Sequence, residues 1–322
     1  MTAQSAWASE RGAKGARLER SDYIWFDGKL VPWGEANVHV LTHTLHYGLG
    51  VFEGIRCYEG SDGISAIFRL SEHIDRLFGS AHILGMTIPF DRRQIEAACV
   101  ETVRVNKLSS CYIRPLVFLG DGEMGLAAVH NPVRVAIAVW SWGAYLGEQG
   151  IREGVRLRTS TFQRMHVNTH MTKAKAVGNY VNSILAAVEA RTAGCDEAMM
   201  LDTDGFVAEC SGENIFIVRG GRVKTTPPTS ILPGITRDTV LQLLAEENIA
   251  ALEDRFTRDE AYLADEAFMT GTAAEITPVR EIDGRQIGAG RPGPVTMQLQ
   301  KRFRAIVGAE DPHYRHWLSH VG

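Results

Sequence analysis

Met171-Thr172-Lys173-Ala174-Lys175-Ala176-Val177-Gly178-Asn179-Tyr180 places lysines among small residues, with a tyrosine five positions after the second lysine. The next polar motif, AECSGEN at residues 208–214, supplies a carboxylate at Glu209. A lysine amine forms a Schiff base with an aldehyde, and a carboxylate keeps a pyridine nitrogen protonated so that its ring accepts electrons. The two motifs together indicate covalent chemistry on an aldehyde cofactor, with Lys175 as the first candidate and Lys173 as its competitor.

The overall composition is typical of a soluble globular protein. The chain has 322 residues, of which 45% are hydrophobic and 22% are charged, so two domains are expected. Its formal net charge of −4 gives no general attraction to nucleic acid or to an anionic membrane. Any anion that the protein binds must therefore be held by a local site.

The cysteine pattern predicts reduced thiols and a cytoplasmic location. The five cysteines are odd in number, widely spaced and free of any C-x-x-C motif, so they indicate neither a zinc site nor a disulfide framework. The longest apolar run, at residues 135–146, is too short to span a bilayer. Residues 1–21 lack the apolar core of a secretory signal, and we expect a disordered tail there.

Apolar periodicity predicts strands followed by helices in each half of the chain. We expect a hairpin at 23–31, helices at 71–84, 94–105, 182–192 and 236–247, and strands at 111–119, 133–139, 155–161, 198–201 and 213–218. The glycine-containing stretch 145–153 is interpreted as a linker between a smaller domain, 22–144, and a larger one, 154–322. The expected fold class is α+β, with two α/β-type domains and a cofactor cleft between them.

Two turns and one arginine are candidates for an anion site. Leu232–Asp238 is a tight turn that opens into a helix, where backbone amides, the helix dipole and the Thr236 hydroxyl favour a phosphate, although this turn alone favours an ordinary capped helix. The small residues of Thr270–Glu275 allow a second set of amides to approach an anion closely. Arg76 lies on the helix that begins near Ser71, and periodicity alone favours a solvated position for it.

The strand Tyr112-Ile113-Arg114-Pro115 places Tyr112 and Arg114 on one face. An inward arginine is unfavourable unless an anion meets it, and either a substrate carboxylate or an internal salt bridge would serve.

A cluster of His39, His43 and His46 raises the question of a metal site. Val38 and Val40 indicate extended structure there, and no carboxylate follows at ligand spacing, so we predict no metal. A metal-dependent hydrolase remains the alternative built on this cluster.

Five motifs in register carry a family resemblance: VFEGIR at 51–56, YIRP at 112–115, the 175–180 segment, the 232–238 turn and residues 271–280. In this order they resemble the class IV aminotransferases, the pyridoxal phosphate enzymes of fold type IV that include D-amino acid aminotransferase. Among these, the bacterial branched-chain amino acid aminotransferases are the most similar. The resemblance runs from about residue 23 to about residue 317.

The resemblance implies roles for residues around the cofactor, pyridoxal 5'-phosphate. Lys175 would be the Schiff-base lysine, Glu209 would pair with the pyridine nitrogen, and Tyr180 would bond the ring oxygen. The phosphate would be held by Arg76, Ile235, Thr236 and Thr272.

It also implies roles around the substrate. Tyr112, with the backbone of Thr272 and Ala273, would take the α-carboxylate, and Arg114 would take the side-chain carboxylate of glutamate or 2-oxoglutarate. The apolar pocket would be lined by Phe52, Trp142 and Tyr145, together with Tyr47 and Leu126, the pocket being completed by a neighbouring subunit.

The implied activity is ping-pong transamination of L-leucine, L-isoleucine and L-valine with 2-oxoglutarate, which gives branched 2-oxo acids and L-glutamate. The family implies a homodimer or a larger homo-oligomer, with no nucleic acid or membrane partner. Alternatives of the same fold are a D-amino acid aminotransferase, an R-selective amine transaminase and an aminodeoxychorismate lyase. A catalytically silent cofactor-binding protein is the alternative from another class, and the joint presence of Lys175, Tyr180 and Glu209 argues against it.

Overall fold

The computed structural model describes residues 19–143 and 146–322. Most of the predicted tail at 1–21 and the pocket candidate Tyr145 lie outside the described residues.

The strands, in chain order, are β1 (Tyr23–Phe26), β2 (Lys29–Pro32), β3 (Gly50–Phe52), β4 (Ile55–Glu59), β5 (Ser65–Phe68), β6 (Cys111–Leu119), β7 (Val133–Trp140), β8 (Val155–Thr159), β9 (Glu197–Leu201), β10 (Val207–Cys210), β11 (Asn214–Arg219), β12 (Arg222–Thr225), β13 (Ala251–Glu253), β14 (Glu266–Gly271), β15 (Glu275–Ile282), β16 (Arg285–Gln286) and β17 (Leu318–His320). The α-helices are α1 (His43–Tyr47), α2 (Leu70–Ile83), α3 (Arg92–Val105), α4 (Gly147–Glu153), α5 (Tyr180–Thr192), α6 (Ile235–Glu246), α7 (Arg258–Tyr262) and α8 (Pro294–Val307), with short 3-10 turns at Trp33–Glu35 and Pro312–Trp317. Helices and sheets are mixed in both halves, and the α+β prediction is confirmed.

The strands form two sheets in the described part of the chain. The first has the order β17-β5-β4-β6-β7-β1-β2, with β3 also paired to β6, and its pairs are antiparallel. The second has the order β10-β9-β8-β15-β14-β11-β12-β13, with β16 beside β15. The pairs β8–β9, β8–β15 and β12–β13 in it are parallel.

Local sequence explains several of these elements. The predicted hairpin β1–β2 turns at Asp27-Gly28, whose φ angles of 47° and 93° are those of a type I′ turn. Helix α3 begins after Asp91, which forms a capping box with Gln94. Helices α2 and α3 bury their apolar sides, including Ile74 and Ile95, against the first sheet.

Strand β6 shows why one face of the first sheet becomes available for a site. Its alternate residues Cys111, Ile113, Val117 and Leu119 belong to the core beneath α2 and α3. Tyr112 and Arg114 therefore point to the opposite face, as the pattern predicts.

Two local predictions differ from the structure. The predicted linker contains helix α4, which packs against β15, and its Gly150 lies close to β8, where a Cβ would be 3.1 Å from Val155 Cγ1. The segment around the histidine cluster was expected to be extended, but His43–Tyr47 is a helical turn that ends at Gly48 in the left-handed conformation, φ 71°.

The C-terminal strand β17 pairs with β5 of the first sheet, although the predicted division assigned it to the second domain. The domain boundaries themselves stay a prediction. None of the helices in the described residues is long and apolar enough to cross a membrane.

Candidate active site

Lys175 lies in a non-helical segment that is tied to the first sheet. Its backbone N–H donates to Ser80 Oγ at 3.1 Å, and its carbonyl accepts from the Phe52 amide at 3.1 Å. Its Nζ is 2.8 Å from the hydroxyl of Tyr180, the first residue of α5, and 5.2 Å from the centre of the Phe52 ring. Lys173, the competitor, is exposed, whereas Lys175 is half-buried. The geometry therefore favours Lys175 as the reactive amine.

Glu209, in strand β10, carries a buried carboxylate. Its Oε1 lies 2.7 Å from Arg164 Nε, and its Oε2 accepts from Asn214 Nδ2 at 3.2 Å. The Leu232 amide donates to the same carboxylate at 3.3 and 3.4 Å. Burial raises the pKa of Glu209, while the Arg164 charge opposes that shift. Arg164 thus helps to keep the carboxylate ionised inside the protein.

The 232–238 turn leads into α6, and Arg76 meets it from the other half of the chain. Gly234 precedes the helix and has no side chain to cap it, so another acceptor is required for the first amides. Arg76 Nη1 donates to Pro233 O at 3.0 Å, while its Nε and Nη2 donate to Glu53 at 2.7 and 2.9 Å. The solvated position that periodicity favoured for Arg76 is wrong, because its side chain is only 14% exposed.

The turn between β14 and β15 contains the half-buried Thr272 and Ala273. It is held against the first sheet by Arg56, whose Nη1 lies 2.9 Å from Glu275 Oε1. Gly271 lies closely against Glu213 at its start, since a Cβ there would lie 3.2 Å from Glu213 Cγ.

Arg114 lies among aromatic rings. Its guanidinium carbon is 4.6, 5.3 and 5.6 Å from the ring centres of Phe52, Tyr112 and Trp140. Tyr112 packs edge-on against Trp142 at 4.6 Å and accepts a bond of 3.4 Å from Arg114 Nη2. Among the described residues Arg114 forms no ion pair, and its buried Nε has no hydrogen-bond partner. The internal salt bridge considered for Arg114 is therefore absent from this part of the chain.

Tyr47 and Leu126 are not brought into this group by the single chain. Their side chains are 43% and 86% exposed, and Tyr47 packs against His43 and His46. The histidines bond backbone carbonyls, with His43 Nε2 3.0 Å from Gly125 O and His46 Nε2 2.9 Å from Val40 O. In residues 19–143 and 146–322, no group of three His, Cys, Asp or Glu residues is placed to hold a metal ion.

Three charged residues of the site had no role assigned from the sequence: Glu53, Arg56 and Arg164. Glu53 and Arg56 belong to the VFEGIR motif, so the motif itself was the available signal. Arg164 stands in a loop with no periodicity, and only its ion pair with Glu209, 45 positions away, identifies it.

The chain is similar to known proteins over almost its full length. The family described as amino-transferase class IV matches residues 50–282. A branched-chain-amino-acid aminotransferase from Pseudomonas aeruginosa is 56% identical over 303 residues, which cover 94% of this chain and 98% of that protein. The crystal structure of the Escherichia coli branched-chain amino acid aminotransferase aligns with a TM-score of 0.92 at 45% identity, covering 94% of this chain and 100% of that one. The branched-chain aminotransferase from the thermophilic archaeon Thermoproteus uzoniensis, solved with norvaline, aligns with a TM-score of 0.89 at 45% identity, covering 94% and 100%.

These similarities agree with the geometry of Lys175, Tyr180 and Glu209, and they confirm the resemblance inferred from the five motifs. The chain belongs to the class IV aminotransferases.

Proposed function

We propose that this protein is a pyridoxal phosphate-dependent branched-chain amino acid aminotransferase that uses 2-oxoglutarate as amino acceptor. The observation that carries the proposal is the convergence of two groups on Phe52: the Lys175 amine and the Arg114 guanidinium lie 5.2 and 4.6 Å from its ring centre. A reactive amine and an anion-binding arginine thus share one aromatic wall. Relatives that are named for this activity match 94% of the chain.

The residues present fit the cofactor. When bound, pyridoxal phosphate supplies an aldehyde for covalent attachment and a ring that accepts electrons from the substrate α-carbon. Lys175 would hold it covalently, Tyr180 would bond the ring oxygen, and Glu209 would meet the pyridine nitrogen. Arg76, the amides of Ile235 and Thr236 and the Thr272 hydroxyl would hold the phosphate.

Lys175 also provides the proton-transfer group. With the cofactor bound, the Lys175 Nζ would act as a base for the proton on the substrate α-carbon and as an acid on the return step. Tyr180, at 2.8 Å, orients this amine, and the Phe52 ring excludes water from one side of it. The same Lys175 amine serves both half-reactions, and the first product leaves before the second substrate binds, so the kinetics should be ping-pong.

Recognition of two kinds of side chain follows from the aromatic wall and its arginine. Phe52 and Trp142 offer apolar surface to leucine, isoleucine or valine, with Tyr145 as a further candidate. Arg114, whose Nε has no partner in the described residues, offers donors to the distal carboxylate of glutamate or 2-oxoglutarate. Tyr112 and the backbone at Thr272 and Ala273 would hold the α-carboxylate that all of these substrates share.

We propose a homodimer as the minimal unit, with Tyr47 and Leu126 completing the pocket of the neighbouring subunit. Large apolar side chains are exposed on the single chain, including Val40 at 70%, Leu45 at 63%, Leu126 at 86% and Val181 at 60%. These exposed apolar side chains support an interface that would cover them. The five free thiols agree with a cytoplasmic location, which we also propose.

The proposal is tested by absorbance spectra of the purified protein with L-isoleucine. A band near roughly 410 nm should shift toward roughly 330 nm and return with 2-oxoglutarate. Lys175→Ala should bind the cofactor, resist its covalent fixation by borohydride and lose turnover by at least about 10³-fold, whereas Lys173→Ala should behave as wild type.

Each other result has a definite meaning. A stable yellow band that ignores L-isoleucine but responds to D-amino acids, R-amines or aminodeoxychorismate would replace the substrate assignment by that alternative. No band after addition of pyridoxal phosphate would refute the assignment of Lys175.

A further inference from the structure

Glu53 is a completely buried carboxylate in the turn between β3 and β4, directly after the pocket residue Phe52. Its Oε1 accepts from Arg76 Nε at 2.7 Å and its Oε2 from Arg76 Nη2 at 2.9 Å. His73, one turn earlier on α2, places its Nδ1 2.7 Å from Oε2. Glu53 therefore holds Arg76 by a two-point contact and is itself fixed by a histidine.

The hydrogen-bond inventory of Arg76 shows what this contact leaves available. A guanidinium group has five N–H donors. Glu53 takes one from Nε and one from Nη2, and Pro233 O takes one from Nη1. These three bonds leave one hydrogen on Nη1 and one on Nη2, so two donors remain for an anion such as a phosphate.

The backbone around Glu53 prevents the carboxylate from moving. The Glu53 amide donates to Pro115 O at 2.9 Å, and the Gly54 amide donates to Glu53 Oε2 at 3.2 Å. Gly54 has no room for a side chain, because a Cβ there would lie 1.8 Å from Tyr112 Oη. The same turn is thus locked against strand β6.

The charges of this group nearly cancel. Burial alone would raise the pKa of Glu53, but Arg76 and His73 overcome it and hold that pKa well below its usual range. Burial also lowers the pKa of His73, against the opposing effect of the Glu53 carboxylate, which favours the neutral imidazole. The Arg76–Glu53 pair then offers a phosphate directed hydrogen bonds and little net charge.

We propose that Glu53 is the positioning residue for phosphate binding: it fixes the Arg76 guanidinium at the Pro233 turn with two hydrogens free for the cofactor's phosphate. This inference rests on the proposed use of pyridoxal phosphate. It predicts that Glu53 matters for the phosphate and not for the aldehyde or the ring.

The test is a spectroscopic titration of the apoprotein with pyridoxal phosphate and with pyridoxal, which lacks the phosphate. Glu53→Gln should weaken pyridoxal phosphate binding by about 10- to 100-fold, the range expected for losing a charged two-point contact, and change pyridoxal binding by less than about twofold. Glu53→Asp keeps the charge but is too short for the same contact, so it should show a smaller loss with the same selectivity. It also tests the proposal if the Gln variant does not fold.

The control is Asp75→Asn, which removes a neighbouring carboxylate of α2 that is 63% exposed and paired with Arg92. It should leave both titrations unchanged. Equal weakening of both ligands by the Glu53 variants would indicate a purely structural role and overturn the inference, as would tighter binding of pyridoxal phosphate, which would make Glu53 a competing charge. If wild-type protein binds neither ligand, the proposed function itself has failed.

Discussion

Arg114 and Glu213 are two ionisable residues of the site region whose environments differ. Arg114 lies against aromatic faces, and its buried Nε lacks a hydrogen-bond partner in the described residues. Such an arginine is suited to bind an anion. Glu213 is buried beneath Gly271, and its carboxylate accepts a hydrogen bond from the Gly212 amide at 3.2 Å. Burial, with the nearby Glu197 carboxylate, raises the pKa of Glu213 well above its usual value.

Arg114→Met should separate the two substrate classes. It keeps apolar contact with Phe52 but removes the cation, so kcat/KM for glutamate should fall about 10²-fold while that for leucine changes only a few-fold. Steady-state kinetics with both amino acids measures this. An equal fall for both substrates would show that Arg114 supports the fold of the pocket and does not select the carboxylate.

Glu213→Gln should stabilise the protein increasingly as the pH rises. A carboxyl whose pKa is raised by folding keeps its proton in the folded state after it has lost it in the unfolded state. The fold therefore loses stability as the pH rises from the unfolded pKa of about 4.3 to the folded pKa. Each pH unit in that window is worth at most about 1.4 kcal/mol. Thermal unfolding at pH 5 and pH 8 should show little difference from wild type at pH 5 and a higher Tm for the variant at pH 8. A variant advantage that shrinks with pH would contradict this sign.

At the scale of elements, the β3–β4 turn joins the two sides of the site. It begins at Phe52, which contacts Lys175 and Arg114, continues through Glu53, which holds Arg76, and passes Tyr112 at Gly54. The turn is therefore a single rigid piece that positions the aromatic wall and the candidate phosphate ligand together.

Gly54→Ala tests that rigidity. The added methyl group would lie 1.8 Å from Tyr112 Oη, so Tyr112 must shift, which we expect to destabilise the fold by about 1–3 kcal/mol and to raise KM for every substrate. Gly79→Ala on α2 is the matched control, since a Cβ there meets no atom within 4 Å and alanine is the better helix former. Denaturant unfolding and steady-state kinetics report both effects. A Gly54→Ala enzyme with normal KM values would show that Tyr112 is not held by this turn.

At the scale of the whole molecule, three arginines of the first half reach across to the second. Arg56 pairs with Glu275, Arg69 with Asp238, and Arg76 bonds Pro233 O. An apolar cluster joins the same halves, with Phe68 of β5 5.5 Å from Phe303 of α8. The candidate site lies where these contacts hold the two sheets together, so its geometry depends on the assembled chain.

Leu126→Ser tests whether assembly extends to a second subunit. Its side chain is 86% exposed on the single chain, so the substitution should change the stability of the isolated fold by less than about 0.5 kcal/mol. If Leu126 lines the pocket of a neighbouring subunit, KM for leucine should rise several-fold while light scattering still gives twice the chain mass. Leu263→Ser, at a residue that is 59% exposed and has no assigned role, should leave KM unchanged. A monomeric wild-type protein with full activity would refute the dimer.

Sequence alone was sufficient for most elements whose signal is local. Helical spacing predicted α2, α3, α5 and α6 to within two residues at each end, and strand alternation correctly placed Tyr112 and Arg114 on one face. The Lys175–Tyr180 pair was also readable, because both residues lie in one short segment. The α+β class followed from this periodicity, and the family followed from five motifs in order.

Tertiary structure decided whatever depends on contacts between distant parts of the chain. Glu53 meets Arg76 across 23 positions and Arg164 meets Glu209 across 45, and no local period records such pairs. Helix α4 forms despite its glycines, with Gly150 packed closely against Val155, and α1 forms despite the neighbouring valines. Periodicity reports which face of an element is apolar, whereas the partner of a buried charge is set only when the elements pack, since burying a charge without a partner is costly.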